Sequence, residues 1–166
     1  MEEKIDQLKF LWIKLNESRT KESDESICRR CKIMLNKSGV YSIPFLNKRF
    51  IIDSIKNQII EEQTGNLLDY YNLYVVLINY ILCCREIELK NIYIADKGIK
   101  DGSSFFIGMH ELPKRPMANL LGTNFELFEY ICTKFGGIKK DFGDISFELL
   151  ALPRIPVVIL KKNMIR

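Results

Sequence analysis

Residues 40–60 read Val40-Tyr41-Ser42-Ile43-Pro44-Phe45-Leu46-Asn47-Lys48-Arg49-Phe50-Ile51-Ile52-Asp53-Ser54-Ile55-Lys56-Asn57-Gln58-Ile59-Ile60. Tyr41, Ile43 and Phe45 alternate with small or polar residues, and Phe50 and Ile52 repeat the same period of two. Alternation of this kind places one apolar face on a pleated strand. Asn47-Lys48 supplies a turn, Ile59-Ile60 opens a third short strand, and the whole reads as a β-meander over 40–63. Pro44 cannot donate to a ladder, which predicts an edge or a bulge at that point.

Both flanks of the meander read as helix. Ile5, Leu8, Leu11, Trp12 and Leu15 recur at helical spacing over 3–17. After a polar break at 16–22, Ser23 is a candidate N-cap, with Asp24 and Glu25 in a first turn. That predicts a helix over 23–37 with Ile27, Cys31, Met34 and Leu35 on its apolar face, Lys37 in its last turn and Gly39 as the stop. Beyond the meander, Asn66 and Asp69 precede a long apolar run through Cys84, predicting a buried central helix over 67–84.

Residues 91–104 are turn-rich, and Phe105-Phe106-Ile107 fits a short strand or an ordered loop. Pro116 opens and Gly122 closes a short helix. Thr123 and Glu126 form a capping-box pair before a helix over 124–135, whose core face is Phe128, Ile131, Cys132 and Phe135 and whose stop is Gly136-Gly137. A turn over 141–144 leads to a strand at Ile145, Phe147 and Leu149 and a last strand from Val157 to Leu160. This order predicts an α+β class: N-terminal helices with an antiparallel or mixed sheet and a buried central helix. The expected organisation is one domain over 1–166, with an N-terminal helix in 1–22, a main region over 23–160 and a short tail over 161–166.

The chain has 166 residues, 47% of them apolar and 28% charged, enough for a full-sized core and too apolar for wholesale disorder. The net charge of +4 is mild, the longest basic runs are pairs, and Lys outnumbers Arg 17 to 8. That pattern predicts no nucleic-acid partner, because phosphate recognition concentrates basic charge and favours the arginine fork. The apolar run Leu73–Cys84 is too short for the about 20 residues a membrane span requires, which predicts no membrane association. Five cysteines leave one unpaired in a monomer, and the start Met1-Glu2-Glu3-Lys4 is not a secretory pattern. Both predict reduced thiols in a cytoplasmic protein.

The chemistry-bearing motifs are few. Cys28-Arg29-Arg30-Cys31 is a CxxC, a weak candidate for a metal or redox site, and the two arginines are expected to lower its thiol pKa values. No second ligand pair has zinc spacing, although Cys83-Cys84, Cys132 and His110 are conceivable additions. The favoured reading is plainer, with Cys31 a small core residue and Cys28 a half-exposed one. His110 is the single histidine, which excludes mechanisms that require two. It stands in a loop, where a surface imidazole, a general base and a cofactor ligand are the alternatives. No phosphate-binding glycine motif and no catalytic triad pattern occurs, so the chain is expected to act as a binder rather than an enzyme.

Several motifs in the C-terminal half stand in one order. They are Phe105-Phe106-Ile107-Gly108-Met109-His110-Glu111-Leu112-Pro113, then Leu121-Gly122, Phe135-Gly136-Gly137, Gly143-Asp144 and Leu152-Pro153-Arg154-Ile155-Pro156-Val157. Their order and spacing resemble an uncharacterised prokaryotic family, domain of unknown function 3786, over roughly 26–160. The resemblance implies a cytoplasmic role in anaerobic metabolism, and a small molecule, a cofactor of unknown identity or a protein, such as an iron–sulfur protein, as partner. The family pattern continues past the last strand with an acidic segment that this chain lacks. That implies loss of any site the segment builds, and self-association through an exposed edge at 157–160.

The expected ligand site is the loop around His110. Gly108 is expected to permit close backbone approach, and Glu111, Asp144 and Arg154 are the polar candidates. A turn residue for Asp144 and a surface charge for Arg154 are the plainer readings. The best reading is a cofactor- or partner-binding module. One alternative is a metal- or corrinoid-associated accessory protein or enzyme using His110, with Glu111 or Asp144 as its orienting carboxylate. A structural or degenerate subunit is the other.

Overall fold

The structure is a computed structural model that describes residues 2–36, 38–90, 92–121 and 124–161. Its elements are helices and antiparallel sheets, the α+β class the alternation predicted. Contacts divide the chain into two compact units, residues 1–88 with 150–157 and residues 89–149 with 158–166.

The first unit begins with helix α1 (Glu2–Lys21) and helix α2 (Asp24–Cys31). Ser23 caps α2 as expected, its hydroxyl accepting from the Ser26 N–H at 3.2 Å. The helix stops six residues early. Lys32 takes a left-handed conformation (φ 52°), its N–H reaches the Arg29 carbonyl, and the Ile33 N–H reaches the Cys28 carbonyl. This is a Schellman closure built on lysine, where glycine is the usual signal. Met34 and Leu35 therefore leave the helix and form strand β1 (Met34–Leu35), exposed rather than on an apolar helix face. Gly39 (φ 74°) serves the turn into strand β2 (Tyr41–Phe45) instead of ending a helix.

Strands β2, β3 (Lys48–Asp53) and β4 (Gln58–Glu61) are the expected meander, in the sheet order β1-β2-β3-β4. Tyr41 pairs with Ile52 and Ile52 with Ile59, while Ile43 pairs with Phe50; all five are buried. The period of two thus delivers one continuous apolar face. The β2–β3 turn falls on Leu46-Asn47, one residue before the expected Asn47-Lys48, and both have positive φ (46° and 64°). Two such residues give a two-residue hairpin the twist its strands require. Pro44 pairs only with Arg49, because β1 pairs no further than Ser42, so the missing N–H costs no ladder bond.

Helix α3 (Tyr71–Cys83) starts four residues later than expected, and Asn66 does not cap it. Leu67 bridges to Ile60, and the Leu68 N–H donates to the Ile59 carbonyl at 2.8 Å. Bonding to the sheet outweighs the local capping signal. The helix buries Leu77, Ile78, Tyr80 and Ile81 but exposes Val76, so one side rather than the whole girth is covered. These residues join Leu11, Trp12, Leu15, Ile27, Cys31 and the inner strand residues in a single core.

The second unit contains helices α4 (Gly102–Phe105), α5 (Lys114–Leu121) and α6 (Phe125–Lys134), with single 3-10 turns at Asp96–Gly98 and Gly108–His110. Asn124 caps α6 by accepting from the Leu127 N–H at 2.9 Å. Strands β5 (Ile138–Lys140), β6 (Ile145–Leu152) and β7 (Ile155–Lys161) form the second sheet, in that order. Strand β5 pairs antiparallel to β6, and the far ends of β6 and β7 lie in the first unit. A Cβ added at Gly137 meets the Cys132 carbonyl oxygen at 2.7 Å and Leu149 at 2.9 Å, so the turn from α6 to β5 demands glycine there. The core is small: Phe128, Cys132, Ile145 and Phe147. Lys37, Gly122, Thr123 and the tail beyond Lys161 lie outside the described residues. Among the described residues no helix is long and apolar enough to cross a membrane.

Candidate functional site

The predicted site residues are divided between the two units. Gly108, His110, Glu111 and Asp144 belong to the second unit and Arg154 to the first.

The 105–112 segment runs from the end of α4 through the 3-10 turn. His110 stacks on Phe105, ring centroids 4.7 Å apart and planes 19° off parallel, and Phe106 meets Phe105 edge-on at 5.2 Å. Such ring pairs contribute about 0.5–1.5 kcal/mol and fix the orientation of both partners. The stack faces water: Phe105 is 56% and Ile107 65% exposed. Gly108 has φ 62°, and a Cβ there meets nothing within 4 Å. Its positive φ suits the turn that shapes the segment, and no protein atom crowds its backbone. Glu111 is exposed, and among the described residues no carboxylate hydrogen-bonds the imidazole. Asp144 lies in the exposed turn before β6. Asp96 pairs with Lys114 at 2.6 Å, tying the 3-10 turn at Asp96–Gly98 to the start of α5.

Arg154 is a structural anchor. Its guanidinium donates to the Arg30 carbonyl at 2.5 Å, the Ile87 carbonyl at 3.0 Å and the Arg29 carbonyl at 3.3 Å. It thereby adds a charged donor to the last carbonyls of α2, where a cation is favoured. Arg30 does the same for α3. Its Nη1 donates to the carbonyls of Ile81 at 2.6 Å and Cys84 at 2.8 Å, and its Nε to Glu22 at 2.9 Å. The outer end of α1 is tied by Arg19, which grips Asp24 through two bonds of 2.9 and 2.8 Å. Tyr41 donates its hydroxyl to the same carboxylate. The Arg19 guanidinium holds the Asp24 carboxyl below its ordinary pKa, against the opposing effect of burial.

The CxxC does not gather a metal set. Among the described residues no group of three or more His, Cys, Asp or Glu is placed to hold an ion. Nor do the arginines activate the thiols. Burial pushes Cys31 up to about 12 despite Arg30 beside it, and burial also raises Cys28. The sequence reading missed Phe105 under His110. Of the cysteines it named as conceivable additions to the CxxC, Cys84 lies against Arg30, its thiol donating to the Arg30 carbonyl at 3.3 Å.

An α+β domain with two antiparallel sheets and the motif series from Phe105 to Arg154 defines the class. A family model described as "Domain of unknown function (DUF3786)" matches residues 24–162, and the chain belongs to that family. Searches of the curated proteins and of the solved structures gave no match.

Proposed function

We propose that this chain is a cytoplasmic binding module that docks a protein partner through the 105–112 segment. The observation that carries the reading is the exposed aromatic stack of Phe105 and His110, continued by exposed Ile107 and Leu112. Large apolar side chains grouped in sequence and left in water favour an interaction surface. Aromatic anchors dominate such surfaces energetically. The five free thiols support a reducing compartment. The family resemblance suggests an iron–sulfur protein of anaerobic metabolism as one partner.

The test is site-specific photo-crosslinking in cells. A photoreactive residue replaces exposed Ile107, with exposed Ile55 of the first unit as control position. The expected result is one discrete cross-linked species at Ile107, lost when Phe105→Ala and His110→Ala are added while circular dichroism is unchanged. Equal cross-linking at both positions, or a species indifferent to those two substitutions, overturns the proposal.

A second reading, a planar cofactor lying on the Phe105–His110 stack, is favoured by the ring geometry alone. An absorption band that copurifies anaerobically and disappears in His110→Ala distinguishes it.

A further inference from the structure

The ends of α2 and α3 bring two thiols together. Cys31, the last residue of α2, is fully buried, and Cys84, the first residue past α3, is half-buried. Each is held against the segment that carries the other. The Cys84 thiol donates to the Arg30 carbonyl at 3.3 Å and the Cys31 thiol to the Ile81 carbonyl at 3.8 Å. Arg30 Nη1 lies 3.3 Å from the Cys31 sulfur and also donates to the Cys84 carbonyl at 2.8 Å, and the Tyr80 hydroxyl donates to the Cys31 carbonyl at 2.7 Å, so one guanidinium and one helix turn hold both cysteines. Past α3 the backbone at Cys84 is already extended (ψ 138°), so its sulfur moves without unwinding the helix.

We propose that Cys31 and Cys84 are a thiol-oxidation site that closes to a disulfide on meeting a small disulfide of the glutathione class. Cys84 is the entry point because Cys31 has no exposed surface. Cys84 gives its proton to solvent, and its thiolate attacks one sulfur of the small disulfide. A mixed disulfide forms, the external S–S bond breaks, and one small thiolate leaves with the electron pair. Cys31 then attacks the Cys84 sulfur, and its proton ends on the departing small thiolate. The protein S–S bond forms and the second small thiolate leaves. The two protein thiols give up two electrons and two protons, and the small disulfide becomes two thiols. Burial makes Cys31 a sluggish attacker, so the second step is the slower one. It proceeds because the attack is intramolecular, where a held geometry replaces a bimolecular encounter. The bond would join the two helix ends that Arg30 and Arg154 already clamp.

The test is incubation of the full chain with oxidised glutathione, trapping of free thiols with N-ethylmaleimide, and peptide mapping by mass spectrometry. The expected product is a Cys31–Cys84 cross-linked peptide, reversed by dithiothreitol, with the melting temperature of the oxidised chain several degrees above the reduced one. Cys31→Ala is expected to stop at a glutathione adduct on Cys84. The proposal is overturned if Cys31 stays alkylatable after the exposed Cys83 has fully reacted, or if the cross-link falls on Cys28 or Cys83. The wild-type map decides the matter even where Cys31→Ala does not fold.

Discussion

The two units differ in how many apolar residues they bury together. In the first, sixteen buried residues among those described share one cluster, drawn from three helices, the first sheet, Ile33 before β1 and Leu152 at the end of β6, and arginines close the helix ends. In the second, the buried cluster has four members among the described residues; both units leave apolar side chains more than half exposed, Ile55, Leu67 and Ile87 in the first and Ile92, Ile94, Phe105, Ile107 and Leu120 in the second. Burial yields about 25 cal/mol per Å² of apolar surface, so the first unit holds most of the stability available from burial. Apolar side chains left in water are a standing cost in both units, and the smaller buried cluster of the second offsets less of it. The lesson is one of division of labour: the motif Arg154 supports the fold, and the motif Phe105 and His110 face outward.

The largest effect should separate the cores themselves. Ile52→Ala, in the buried sheet face, is expected to lose about 2–5 kcal/mol in urea unfolding. Ile145→Ala in the smaller cluster is expected at the low end of that range, because the site collapses more readily. Equal losses would erase the contrast. Next comes Arg30→Met, which strips the carbonyls of Ile81 and Cys84 and the Glu22 carboxylate of their donor. The pair is partly solvated, so the expected loss is about 1–3 kcal/mol; a neutral result would show that the caps are replaced by water. Gly137→Ala drives a Cβ into backbone and should destabilise by roughly 1–3 kcal/mol, with exchange increased in α6 and β5 but not in β2 and β3.

Smaller is the pH effect at Asp24. Its folded pKa lies below its ordinary 3.8, so its stabilising contribution is complete at pH above that value and fades as pH falls through the folded pKa. Stability measured between pH 6 and pH 3 should therefore decline less in Asp24→Asn than in the parent. A small effect on stability is expected at Phe105→Ala, about 0.5–1.5 kcal/mol in denaturant, because the ring is mostly in water already and only its ring contacts are lost. A loss of several kcal/mol there would mean that the stack supports the fold and is not a docking surface.

Legibility in the sequence followed the same division. The meander, the Ser23 cap and α6 were readable because a local period or cap agreed with the tertiary packing. The early end of α2 was not, since Lys32 carries none of the glycine signal that a left-handed cap usually displays. Strands β1 and β5 are two and three residues long, too short for a period to emerge. Asn66 looked like a cap because nothing local shows that Leu68 bonds back to Ile59. For the site, the motif located His110, but its stacking partner was hidden by the Phe105-Phe106 pair, either of which fits a strand or a loop. Arg154 reads as a surface charge in the sequence, and only the fold shows the helix end it meets.

Native-state hydrogen exchange on the full chain tests the central contrast most directly. The expected result is slowest exchange at β2, β3 and α3, opening only with global unfolding, and exchange at least a hundredfold faster (about 2.7 kcal/mol less protection) over the helix Lys114–Leu121. Uniform protection across both units would contradict the account.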